Sequence, residues 1–298
     1  MTDITDFNAS ELSERIHQGQ FSCTEVMQAY LQRIQALNPR YNAIVNLAPS
    51  DTLLAQARQC DDELAQGQSR GWLHGIPQAI KDTGHAVGFA TTFGSRLLAG
   101  QMPRADSIMT ERMKAAGALV IGKTNMPELG LGSHTFNTLF GTTPNAWDTT
   151  VSAGGSSGGA AVALAQRLLP VADGSDFMGS LRNPAGWNHI FGMRPSQGRV
   201  PFGPGADVWV DQLGPKAPWP AACAIWPDCW PRNRATTRVS RCRSTQAWTS
   251  RASSTRQTHS RAFGSAGWAI WVVTWPWKTA SWVFAKTHCT PCKTRGRK

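Results

Sequence analysis

Residues 1–213 predict an α/β fold, and three observations carry that reading. Helical repeats alternate along the chain with short apolar runs of strand length. Residues that satisfy free backbone N–H groups stand where the helices begin. The alternation then ends at about residue 214, where the composition changes abruptly.

The first helix begins near Asn8 or Ser10. In "SCTEVMQAYLQRIQAL", Ser22 stands three residues before Glu25, a capping box that satisfies orphan N–H groups at a helix start. Met27, Leu31, Ile34 and Leu37 then recur at helical spacing. A third helix covers about 51–66. "HGIPQAIKD" is extended and apolar up to Lys81, which sets Lys81 at the end of a buried strand. Asp106 or Ser107 caps a helix through Ala116, Gly117 ends it, and "ALVIG" is a short buried strand. Gly117–Thr124, "GALVIGKT", has the spacing of a phosphate-binding loop. Its inner residues are themselves the strand, and "NMP" interrupts the helix such a loop needs, so nucleotide binding is set aside. The N-terminal residues show no basic stretch followed by an apolar run, so no secretory signal is read. A cytoplasmic location is the expectation, with Cys23 and Cys60 as reduced thiols.

The stretch "VSAGGSSGGAAVALA", residues 151–165, surrounds Ser156 and Ser157 with four glycines. Two readings compete: a helix entry whose serines cap a helix at 158–168, or a loop whose glycines let it pass close to another segment or a substrate. Downstream, "GSDFMGSLRNPAG" places Ser180 between Gly179 and Leu181, flanked by Asp176 and Arg182. With Lys81, the serines make a complete hydrolytic set: a nucleophile, a relay hydroxyl and an amine that serves as base once burial lowers its proton affinity. No metal or cofactor is needed. Asp176 and Arg182 read as an ion pair steadying the turn.

At these residues the chain resembles the amidase signature family, continuously from "HGIPQAIKD" through "GKTNMPELG", "AGGSSGGAAVALA" and "GSDFMGSLRNPAG" to "FGMRPSQGRVP", and less specifically back to about residue 8. The resemblance implies a mixed central sheet flanked by helices. It also implies a triad in which Ser180 attacks the amide carbonyl, Ser156 passes the proton on, and Lys81 accepts it. Ser156 would follow a cis peptide bond, Gly155–Ser156, with Ser157 as a supporting neighbour. Backbone N–H groups of Phe177, Met178, Gly179 and Ser180 would form the oxyanion hole. The usual turn is Gly-Gly-Ser; here Met178 precedes Gly179, which leaves an N–H available but brings a bulky side chain near the site.

After "FGPGADVWVDQLGP" the resemblance stops. Residues 1–213 hold 15 Lys and Arg against 18 Asp and Glu, whereas residues 214–298 hold 15 Lys and Arg against the single acid Asp228. That last segment has nine of the 13 tryptophans and no Leu, Glu, Met or Tyr. A globular domain without leucine lacks a principal core filler. Tryptophan is encoded only by TGG, and moving the frame back one nucleotide turns each TGG into the end of an NTG codon, hence Leu, Met or Val. Residues from about 214 onward therefore read as an out-of-frame translation and an irregular tail foreign to the family. A basic, tryptophan-rich nucleic-acid-binding segment, half a zinc site at His288, Cys289 and Cys292 completed by Cys223, Cys229 or Cys242, and a membrane-surface run over 267–284 are the rival readings. One frame slip accounts for the features of all three.

The expectation is an amide hydrolase acting on a small-molecule amide, with no nucleic-acid or membrane partner and inactive with this tail; the intact family member would be free to form a homo-oligomer. The alternative within the family is the ammonia-releasing subunit of a tRNA-dependent amidotransferase. The "DFMGSLRNPA" turn favours the free-standing amidase.

Overall fold

The computed structural model describes residues 3–195, residue 200 and the backbone of residues 221–224, all within the compact unit Met1–Ser260. The remainder of the tail, with its zinc, nucleic-acid and membrane-surface readings, lies outside the described residues. Among the described residues no helix is long and apolar enough to cross a membrane.

Helix α1 (Ala9–His17) is entered through a capping box of Asn8 and Glu11, and α2 (Cys23–Tyr41) through that of Ser22 and Glu25. Met27, Leu31 and Ile34 line one face of α2 and are buried with Leu12 and Ile16 of α1. Each such side chain contributes roughly 1.5–3 kcal/mol of transfer free energy. Helix α3 (Ser50–Ala65) adds Leu53, Ala57 and Cys60 to the same core. Helix α4 (Ile108–Ala115) is capped by the Ser107 hydroxyl, and Gly117 ends it at φ 101°.

The central sheet is mixed, with order β1-β3-β2. Strand β1 (Ile44–Val45) runs antiparallel to β3 (Leu119–Thr124), and β2 (Pro77–Lys81) runs parallel to β3. Every residue of β2 and β3 is buried. "LVIGKT" is thus a strand through Thr124, not a phosphate-binding loop. A small hairpin, β4 (Phe136–Asn137) and β5 (Gly141–Thr142), precedes the glycine-serine loop. Helix α5 (Gly158–Ala165) packs against β6 (Ala172–Ser175), β3 and β2. Strand β6 packs beside β2, and its other neighbour is β7 (Ala221–Ala224), paired antiparallel. The short helix α6 (Arg182–Trp187) follows the Ser180 turn. Helices flank a mixed sheet, as the family resemblance implies.

Gly159 shows why the loop needs glycine. A Cβ there would collide with the backbone N and O of Asn125 and stand 2.7 Å from the Ala43 carbonyl. These are main-chain atoms that cannot swing aside, so α5 meets the sheet only through a residue without a side chain.

Candidate active site

Lys81 ends β2, where the parallel pairing with β3 holds it in register with Thr124. Its side chain is buried, and its amine donates to three hydroxyls: Ser156 Oγ at 2.7 Å, Ser157 Oγ at 2.9 Å and Ser175 Oγ at 2.8 Å. As an ammonium it can serve all three; as a neutral amine it donates two hydrogen bonds and accepts one. Burial pulls its pKa down to about 7, against the opposing pull of Asp173 and Asp176. The amine can therefore carry or lack its proton near neutral pH.

The serines reach this amine from two segments. The Gly155–Ser156 peptide is cis, and Ser156 and Ser157 are both buried. Ser157 sits at the start of α5 but gives that helix no side-chain cap. Its hydroxyl is taken up elsewhere, accepting from Lys81 and from Ser175 N and donating to the Ser175 carbonyl, each of the latter at 3.3 Å. The helix-capping reading of this serine is thereby replaced by a tie between the loop and β6.

Ser180 enters through its backbone: its carbonyl accepts from Ser157 N at 3.1 Å. Among the described residues the Ser180 hydroxyl makes no hydrogen bond to Lys81 or to Ser156, whose own hydroxyl meets the Lys81 amine. The turn around it is organised by Asp176. This buried carboxylate accepts from Gly179 N at 2.8 Å, Leu181 N at 3.2 Å and Arg182 N at 3.4 Å. It also pairs with Arg182 through Nε at 2.9 Å and Nη2 at 3.1 Å. Burial pushes the Asp176 carboxyl up, but Arg182 and the N–H donors outweigh it and hold it below the usual carboxylate range. The structural reading of the Asp176–Arg182 pair therefore matches the geometry. One member of the expected oxyanion hole is spoken for: the Gly179 N–H points at Asp176. Met178 and Ser180 N–H groups make no hydrogen bond among the described residues. Met178 is 83% exposed at the rim of the turn.

Two partners of Lys81 escape the sequence reading. In β6, Ser175 reaches the amine, and two residues earlier, on the same strand face, both carboxylate oxygens of Asp173 accept from the Lys81 main-chain N–H at 3.1 and 3.2 Å. Burial pushes the Asp173 carboxyl up to about 6, against the Lys81 N–H and the charges of Lys123 and Lys81. A second buried amine, Lys123 on β3, lies 3.9 Å from Asp82 and donates to the Gly84 carbonyl and Thr91. Burial lowers its pKa to about 8, with Asp82 and Asp173 opposing.

Away from this centre, Cys60, Glu63 and His74 each bring one potential metal-ligand atom within 4.8 Å of the others. Their polar atoms are already committed. His74 Nδ1 accepts from Arg70 N at 3.1 Å, which leaves the proton on Nε2, 2.9 Å from the Cys60 carbonyl. Glu63 is clasped by the Arg70 guanidinium. The cluster reads as a satisfied core histidine beside a surface ion pair.

The class that emerges is an α/β protein with a lysine amine buried among serine hydroxyls, one of them behind a cis glycine-serine bond. The chain belongs to the amidase signature family: the family model described as Amidase matches residues 25–217. The A subunit of glutamyl-tRNA(Gln) amidotransferase from Streptomyces coelicolor is 40% identical over 200 residues, covering 67% of this chain and 40% of the relative. The protein of the same name from Methylococcus capsulatus is 42% identical over 224 residues, covering 72% and 44%. The solved peptide amidase from Stenotrophomonas maltophilia superposes with a TM-score of 0.62 at 37% identity, covering 66% of this chain and 41% of that one. The chain thus spans about two fifths of the length of these relatives.

Proposed function

We propose that residues 1–213 are the N-terminal part of an enzyme that hydrolyses a carboxamide C–N bond through an acyl-enzyme on Ser180. The observation that carries this reading is the Lys81 amine, dry, poised near neutral pH and 2.7 Å from the Ser156 hydroxyl. Neutral Lys81 takes the Ser156 proton while Ser156 takes that of Ser180. Ser180 Oγ bonds to the carbonyl carbon, and the carbonyl electron pair moves to oxygen, facing the N–H groups of Met178 and Ser180. When the C–N bond breaks, the proton returns along the same path to the leaving nitrogen. Water then attacks the ester under the same base, releasing the carboxylic acid and restoring Ser180.

For the setting, the curated relatives outweigh the turn sequence. Proteins named as the A subunit of glutamyl-tRNA(Gln) amidotransferase, at 40–42% identity, favour an ammonia-releasing A-type subunit over a free-standing amidase. That reading brings further subunits as partners. Residues from about 214 onward are proposed to be read out of frame, which resequencing the DNA around codon 214 tests directly. The activity test belongs to the frame-restored protein. Ammonia release from a primary amide should vanish in Ser180→Ala while the fold persists, and ammonia release retained in that variant rejects the acyl-enzyme. Release that requires partner subunits and an acceptor tRNA marks the amidotransferase setting; full turnover by the isolated chain marks the free-standing enzyme.

A further inference from the structure

The Lys81 amine is surrounded by hydroxyls and makes no ion pair among the described residues, yet a buried carboxylate, Asp173, holds the main-chain N–H of the same residue. We propose that Asp173 is a positioning residue for Lys81: a fixed buried counter-charge that favours uptake of the proton released when Ser180 attacks. The inference rests on the amidase reading above.

Asp173 is 1% exposed, and its two oxygens accept from the Lys81 main-chain N–H. A backbone N–H at a strand end is satisfied by any neutral carbonyl, so a full charge in this dry interior is a costly way to bind it. Its value lies in the charge balance. Besides Asp176, four ionisable groups are buried here: Lys81 and Asp82 at the end of β2, Lys123 on β3 and Asp173 on β6. Lys123 and Asp82 lie 3.9 Å apart and offset one another. Asp176, in the turn after β6, is neutralised by Arg182 at 2.9 Å, with Arg194 at 3.9 Å. That leaves Asp173 opposite Lys81. With Lys81 neutral, the quartet carries one excess negative charge; with Lys81 protonated, it is balanced. An extended lysine side chain spans roughly 6 Å, so the carboxylate and the amine lie within about 10 Å. At an effective dielectric of about 20, a unit charge at that range changes proton affinity by roughly tenfold or more. Near neutral pH Asp173 is largely ionised, since its pKa is pushed up only to about 6.

The test follows the Lys81 Nζ resonance by NMR in the full chain labelled with 13C,15N-lysine, as wild type and as Asp173→Asn, an isosteric change that keeps an acceptor for the Lys81 N–H. The Lys81 titration midpoint should fall by about one pH unit or more, a tenfold loss of proton affinity; an unchanged midpoint overturns the proposal. Should the variant fail to fold, wild type labelled in the aspartate carboxyls gives the same answer. The Asp173 Cγ resonance should inflect at the Lys81 midpoint, and independent titrations overturn the coupling. In the frame-restored enzyme, Asp173→Asn should move the acid limb of kcat/KM to lower pH and lower the plateau, whereas a purely structural role lowers the plateau and leaves the limb in place. A shifted NMR midpoint together with full turnover in Ser180→Ala would reject the hydrolytic reading while preserving the Asp173–Lys81 coupling.

Discussion

Replacing Lys81 by Met should change how stability depends on pH, by an amount the structure fixes. Burial lowers the Lys81 pKa from its ordinary 10.5 to about 7, so between these values the unfolded chain holds a proton that the folded protein does not. Unfolding then takes up a proton, and stability rises with pH across that window by about 1.4 kcal/mol per unit. Below pH 7 both states are protonated and this contribution is flat. Between about pH 6.5 and 9.5 the wild type should therefore gain about 3 kcal/mol relative to Lys81→Met. Lys123 adds a rise of its own above about pH 8, but it is present in both proteins and cancels in the difference. The variant also loses three hydrogen bonds to serines, an offset that is largely independent of pH. Urea unfolding of both proteins at the two pH values reads the difference directly. Stability curves parallel to within about 1 kcal/mol would mean that Lys81 keeps its solution proton affinity, and the argument for a lysine base would fail with it.

In the frame-restored enzyme, kcat/KM should rise with pH through about 7 as Lys81 loses its proton; a profile flat between about pH 5 and 9 would remove lysine from the role of base. Ser175→Ala deletes one of the three hydroxyls on the amine. Hydrogen bonds to charged groups contribute about 1.5–3 kcal/mol, so the acid limb should move down by about 1–2 pH units, and an unmoved limb would show that Ser175 does not stabilise the protonated amine. Gly159→Ala should destabilise the fold by about 1–3 kcal/mol or more, since its Cβ meets only main-chain atoms. A urea midpoint matching wild type would show that α5 can draw back from the sheet.

The readable parts of the sequence are those in which a residue acts on its own neighbourhood. Ser22 and Glu25 close a capping box within one turn, and an apolar run ending in Lys81 is a buried strand whatever lies across from it. The paired spacing of Ser156 and Ser180, with its family resemblance, points to two segments that the Ser157 N–H and the Ser180 carbonyl join. What is not legible depends on contacts across the sheet. Strand β6 reads "ADGS", too small and polar to announce itself as core, yet every residue in it is buried. Two polar residues two apart in a buried strand are the available signal, because they share a face; that face meets Lys81. Ser157 misleads for the opposite reason. A serine at a helix start usually caps the helix, and only the lysine contributed by β2 draws its hydroxyl away. The family resemblance implies a Gly179 N–H in the oxyanion hole, whereas the Asp176 carboxylate folds back and claims it.

The separation in sequence between the amine and its hydroxyls bears on how the chain is made. Ser156 lies 75 residues beyond Lys81 and Ser175 lies 94 beyond it, so these are contacts of high sequence separation, slow to close. While the chain emerges from the ribosome, Lys81 is an ordinary solvated ammonium that holds its proton, and the serines downstream are ordinary alcohols. The amine changes character only when β6 docks and expels water. The lowered proton affinity is thus a property of the assembled interior, absent from a nascent or partly unfolded chain in which these segments are still apart.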